Sequence, residues 1–159
     1  MELLDLLRWF HVIGATVLLG TGAGIAFFML MAHRTRHPAL IAHVASTVVT
    51  ADMVFTSTAV IVQPLTGVSL AYLIGWPLTE GWVVLSLGLY GLTGLFWLPV
   101  VWIQIRMRDL ARAAAKEKRL LPKQYDRLFA IWFACGIPAF LCVLAIVWLM
   151  LAKPSLPLF

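Results

Sequence analysis

Charge is scarce in this chain. Only 12% of its 159 residues are Asp, Glu, Lys or Arg, about half the share expected of a water-soluble domain. Cysteine is scarcer still: Cys135 and Cys142 are the two present, too few for a disulfide-stapled fold. There is no Cys-x-x-Cys pair, no glycine loop following a strand and no nucleophile elbow, which removes the zinc-ribbon, nucleotide-binding and serine-hydrolase readings. Apolar residues are abundant, at 62% of the chain with a mean hydropathy of +0.96. That content excludes a disordered chain and leaves an integral membrane protein.

Four nearly uncharged runs stand out, Trp9–Ala32, Leu40–Val62, Gly81–Ile105 and Leu128–Ala152. Each is long enough, at about 35 Å of helix, to cross a hydrocarbon layer of about 30 Å. A backbone in lipid must satisfy its own polar groups, so continuous apolar runs of this length predict helices. They do not alternate apolar with polar, so a β-barrel is excluded. The expected fold is all-α, a single membrane domain over residues 1–159, forming an antiparallel bundle of four transmembrane helices. Cys135 and Cys142 both fall in the fourth run, seven apart, and read as small buried hydrophobes.

The basic residues predict the orientation. Arg34 and Arg36 lie between the first two runs, and eight more lie between the third and fourth, from Arg106 to Arg127. Only Arg8 and Lys153 fall on the other side. Short loops rich in Lys and Arg stay in the cytoplasm, so both chain ends are expected outside, in a bacterial inner membrane. Glu2 and Asp5 precede the first basic residue, unlike a cleavable signal peptide, so the first run is read as a retained helix. The basic connection 106–127 is assigned to topology and anionic lipid, not to nucleic acid. It is expected to be helical up to Leu121, with Pro122 ending the helix.

Between the second and third runs, Gln63–Glu80 contains Pro64, Gly67, Gly75 and Pro77 around an apolar middle. It is too short for a fifth span and is expected to lie in the interface or cap the bundle. Trp9, Trp76, Trp82 and Trp148 fall near the outer boundary, and Trp102 and Trp132 near the inner one, as an aromatic belt would.

Polar groups at membrane depth are functional hypotheses. Asp52 sits mid-span, where an ionised and isolated carboxylate costs about 3 kcal/mol on the insertion scale. Thr56 is one turn on, and Gln63 falls near the same face. Pairing the first two spans about residue 37 sets Asp52 opposite Gly20–Gly24, where Thr21 or backbone carbonyls are expected to satisfy it. Asp52 and Thr56 are thus candidates for a proton relay or a buried polar contact. The same pairing sets His33 near His43, a candidate metal pair. His11 lies near the outer boundary above Ala15, Leu18 and Gly22, a small-residue face with room for a flat macrocycle and an imidazole axial ligand. Met150 has a suitable depth for a second ligand.

Several stretches form one recognisable pattern: His11-Val-Ile-Gly-Ala-Thr-Val-Leu-Leu-Gly-Thr-Gly22, His33-Arg-Thr-Arg-His-Pro38, Ala51-Asp52, Leu65-Thr-Gly67, Phe96-Trp-Leu-Pro-Val-Val-Trp-Ile-Gln104 and Leu149-Met-Leu-Ala-Lys-Pro154. Over nearly the whole chain this resembles the DUF2269 family of bacterial integral membrane proteins, which implies four spans and supplies no reaction. The first span, with a histidine near its start and another about 21 positions on, also resembles HemJ-type protoporphyrinogen oxidases and CopD-like membrane domains. That likeness implies haem b with His11 as axial ligand. The third span here has no lysine, where the HemJ group carries one in a later span.

The leading expectation is a small b-type haem protein that transfers electrons, with a quinol as redox partner, or handles haem or porphyrin. Whether it is an enzyme stays open. The alternatives are a non-enzymatic membrane subunit or accessory protein packing through glycine-rich faces, with a homo-oligomer among the expected assemblies, and a metal or small-solute transport unit built on His33, His43 and Asp52.

Overall fold

The computed structural model describes residues 2–156 and is helical almost throughout. Four helical rods follow one another, and all four are long and apolar enough to span a membrane. The first, α1, runs Leu3–Thr35. The second is α2 (Pro38–Ala51), a π-helical turn (Asp52–Thr56) and α3 (Ser57–Ile74) in unbroken succession. The third is α4 (Gly81–Lys116) and the fourth α5 (Lys123–Ala152).

Local chemistry explains the turns. Arg36 closes α1 in the left-handed region, with its amide bonded to the His33 carbonyl. Pro38 then opens α2, where its missing N–H is no loss, and the His37 ring accepts from the Leu40 amide. Gly75, at φ 86°, ends α3, and the Gly75 and Trp76 amides both bond the Ala71 carbonyl. That backbone suits glycine alone at no steric cost. The last basic connection opens earlier than Pro122 predicts: α4 stops at Lys116, Lys118 takes a positive φ, and Leu120 is exposed.

Residues 63–74 overturn the expectation of an interfacial cap, because they continue the second rod as helix. Pro64 removes the amide that would bond the Val60 carbonyl one turn earlier. The Tyr90 hydroxyl on α4 donates to that carbonyl instead. A helix survives an internal proline in lipid when a neighbour satisfies the freed group. Only Gly75–Glu80 remains as a connection on that side.

The best-packed part of the bundle lies towards the arginine-rich side. There Met29, Ala32, Ile41, Ala45, Val48, Ile103, Met107, Ala111, Tyr125, Phe129 and Trp132 form one core. Towards the opposite side the helices close through a smaller cluster, Trp82, Val83 and Leu149. The rest of the apolar surface faces outward, as in a protein whose solvent is hydrocarbon. Trp9, Trp102 and Trp148 are more than half exposed, in keeping with a belt. Trp82 and Trp132 are instead buried and belong to the two cores.

Beside the larger core, Arg36 and Asp126 form a two-pronged ion pair at the start of α5, both at least two-fifths exposed. The hydrogen bond from Arg36 holds the Asp126 carboxyl below the usual carboxylate range. The folded state therefore gains from this pair above the ordinary carboxylate pKa and loses the gain as pH falls through the lowered one. Water screening limits that gain, and Asp126→Asn should lower stability by less than about 1 kcal/mol at neutral pH, read by thermal unfolding in detergent.

Candidate functional site

The π-turn places Asp52. Its carbonyl bonds the amide of Ser57, five residues on, and also accepts from the Ser57 hydroxyl at 3.2 Å. Such single π-turns inside α-helices recur at functional positions. Asp52 and Thr56 are both buried here, 4% and 7% exposed.

The Asp52 carboxylate points at α4, not at the glycines of α1. One oxygen accepts from the Trp97 indole at 3.3 Å and the other from the Gln104 side-chain amide at 2.6 Å. The Gln104 carbonyl oxygen accepts in turn from the Trp132 indole on α5, at 3.3 Å. Because an indole N–H can only donate, Trp132 fixes which way round Gln104 sits, and Gln104 must offer its NH2 to Asp52. The chain Trp132–Gln104–Asp52–Trp97 therefore joins the second, third and fourth spans through one buried network. It presents Asp52 with two neutral donors and no cation among the described residues. The Thr56 hydroxyl, one turn from Asp52, is buried without a hydrogen-bond partner among the described residues.

Asp52 and Thr56 are buried, and the side chains that partner Asp52 are ones the sequence does not single out for it. Trp132 reads as interfacial from position alone, and Gln104 carries no signal without knowledge of which helix faces the second span.

His11 belongs to a separate polar contact on α1 and α3. Its Nδ1 lies 2.8 Å from the Thr66 hydroxyl, and its backbone carbonyl accepts from the Gln63 side chain at 2.8 Å. Two glycines make room for these side chains. A Cβ at Gly67 would lie 3.1 Å from His11 Cε1, and one at Gly14 only 2.6 Å from Gln63 Nε2. Each helix thus sets a polar side chain into a glycine of the other. Gly22 instead faces Phe140 on α5, and Met150 packs with Trp82, Val83 and Leu149, a cluster apart from the His11–Thr66 pair.

His33 and His43, the candidate metal pair, have different surroundings. His33 lies flat on Phe129, with ring centroids 3.7 Å apart, and stacks on Tyr125. His43 is exposed and lines a groove with Ser46, Thr47 and Thr50. No cluster of three or more His, Cys, Asp or Glu suited to a metal occurs among the described residues. Cys135 and Cys142 are free thiols.

These features define the class: a polytopic helical membrane protein with a carboxylate buried in a polar network between its spans. The family model for predicted integral membrane proteins of the DUF2269 type matches residues 5–154. The chain belongs to that family. No curated protein and no solved structure matches it.

Proposed function

We propose that this protein handles protons within the membrane, with Asp52 as the group that takes up and releases the proton. The observation that carries the reading is a carboxyl group only 4% exposed that receives two neutral hydrogen bonds and, among the described residues, no ion pair. A carboxyl group is a proton-carrying side chain, and one set at membrane depth among neutral donors is a functional hypothesis by default. A proton added to Asp52 needs an acceptor. Thr56 offers a free hydroxyl oxygen. Gln104 offers its carbonyl oxygen only after rotating its amide, which releases Trp132. Protonation at Asp52 and the packing of α5 are thereby coupled through one side chain.

The test is a pH titration of tryptophan fluorescence in nanodiscs. Wild-type protein should show a reversible transition that Asp52→Asn abolishes and Trp132→Phe diminishes. Tyr90→Phe, outside the network, should retain it. An unchanged transition in Asp52→Asn would refute the reading.

A b-type haem with His11 as ligand is a second reading, and Thr66 favours it. A Thr66 hydroxyl that accepts from Nδ1–H leaves Nε2 with a bare lone pair, the form an axial ligand requires. The group would supply a one-electron centre for exchange with a quinol. Its fit is poor, because the imidazole is seated against the α3 backbone at Gly67. A macrocycle there would have to part α1 from α3. Purified protein from haem-replete cells should accordingly lack a Soret band; a band that disappears in His11→Ala would establish the haem reading.

The Arg- and Lys-rich side is taken to be cytoplasmic, in a bacterial inner membrane, with both ends outside. A cysteine placed at Lys118 should resist an impermeant thiol reagent in intact cells and react after permeabilisation.

A further inference from the structure

We infer that the groove on the outward face of α2 binds an anionic phospholipid, its phosphate held at Arg112 and its acyl chain laid along α2. The groove has a volume of about 440 Å³ and is lined by His43, Ser46, Thr47, Thr50, Ala51, Val54 and Phe55. Its two ends differ in chemistry. At the end nearer the basic connection, Arg112 reaches from α4 and donates to the Ser46 hydroxyl at 2.8 Å. Ser46 already donates to the Ala42 carbonyl, so this contact positions the guanidinium and leaves most of its five N–H groups unused. Arg112 is exposed and has no carboxylate partner among the described residues. At the other end Val54 and Phe55 are apolar and exposed.

The hydroxyls between these ends do not ask for a polar partner. Thr47 donates to the His43 carbonyl and Thr50 to the Ser46 carbonyl, so the wall they present is mild enough for an alkyl chain. From His43 to Phe55 the groove follows about 18 Å of helix, running from the arginine-rich boundary into the membrane. An unpaired cation at the boundary above an apolar channel complements a molecule with an anionic head and a hydrocarbon tail. A soluble anion would use the first part and leave the second without purpose.

The experiment titrates delipidated, full-length protein in neutral detergent with dioleoylphosphatidylglycerol or dioleoylphosphatidylcholine, counting bound lipid by native mass spectrometry. Wild-type protein should prefer phosphatidylglycerol, and Arg112→Gln should cut that preference about fivefold, the share of one basic residue near a membrane surface. Thr50→Trp, which fills the channel, should weaken both lipids. Arg112 is exposed, so its variant retains the fold even if Thr50→Trp does not. Three results would overturn the proposal: an undiminished preference in Arg112→Gln, displacement of phosphatidylglycerol by an equal concentration of inorganic phosphate, or disulfide-linked dimers forming through Thr50→Cys in lipid-saturated protein. The last would show a second copy on this face.

Discussion

Gln104→Leu should destabilise the bundle by about 3 kcal/mol. The residue is 1% exposed and bridges two buried groups, Asp52 and Trp132. Leucine fills a similar volume, so little of the loss is a cavity. Single hydrogen bonds between membrane helices average about 0.6 kcal/mol and reach about 1.7, so two of them set a floor of roughly 1–3. The larger part comes from orphaning: a buried carboxylate and a buried indole each lose a partner in a medium without water. Asp52→Leu combined with Gln104→Leu should recover part of the loss, since the buried carboxyl short of a donor is gone while the Trp97 and Trp132 indoles stay unpaired. Reversible unfolding in mixed micelles measures both variants. A double variant no better than Gln104→Leu would mean that Gln104 matters for shape and not for its amide.

The same network separates stability from function. Asp52→Asn keeps an acceptor oxygen for Trp97 or Gln104 and loses the exchangeable proton. One of the two donors is then left facing an amide NH2, so the variant should lose about 1–2 kcal/mol, less than Gln104→Leu, while losing the fluorescence transition. A variant that failed both tests would point to a carboxylate kept for packing alone.

The four spans are legible because the signal is local: a run of apolar residues about 23 long needs no partner to be recognised. The pairing of α1 with the second span is legible too, since Arg36 and His37 turn the chain where the numbers predict. That pairing sets residues whose numbers sum to about 75 at one depth. His11 and Gln63 satisfy the sum, and their contact follows. It escapes a reading that takes His11 with its own helix face, because the ring turns towards α3.

Asp52 shows the opposite case. Its depth follows from the hairpin, but its direction does not, because the hairpin cannot say that α4 packs across α2. Nor does composition foretell a π-turn, which rotates the carboxylate relative to an ideal helix. The interfacial reading of Gln63–Glu80 fails for a related reason. Pro64 breaks a helix considered alone, and the hydroxyl that rescues it lies 30 positions away from the freed carbonyl, on another rod. Non-local hydrogen bonds accompany the first and the last of these outcomes, and neither leaves a periodic trace.

Glycines in this bundle look alike in the sequence and differ sharply in the structure, which gives the second large effect. Gly14→Leu should cost about 3 kcal/mol, near the upper end for forcing a side chain into a filled contact. Even a Cβ there lands 2.6 Å from the Gln63 amide nitrogen, and the Gln63 side chain can move aside only by giving up its bond to the His11 carbonyl. The Gln63 bond to the His11 carbonyl would break, and the His11–Thr66 contact beside it would strain. Gly20→Leu, on the same helix, meets nothing within 4 Å at Cβ and should stay within about 0.5 kcal/mol of wild type. A compensating test distinguishes crowding from lost helix flexibility: Gln63→Ala should tolerate Gly14→Ala with little further loss, because the atoms in the way are gone. If Gly14→Ala were as damaging in the Gln63→Ala background as in wild type, the glycine would be needed by the α1 backbone itself and not by the side chain of α3.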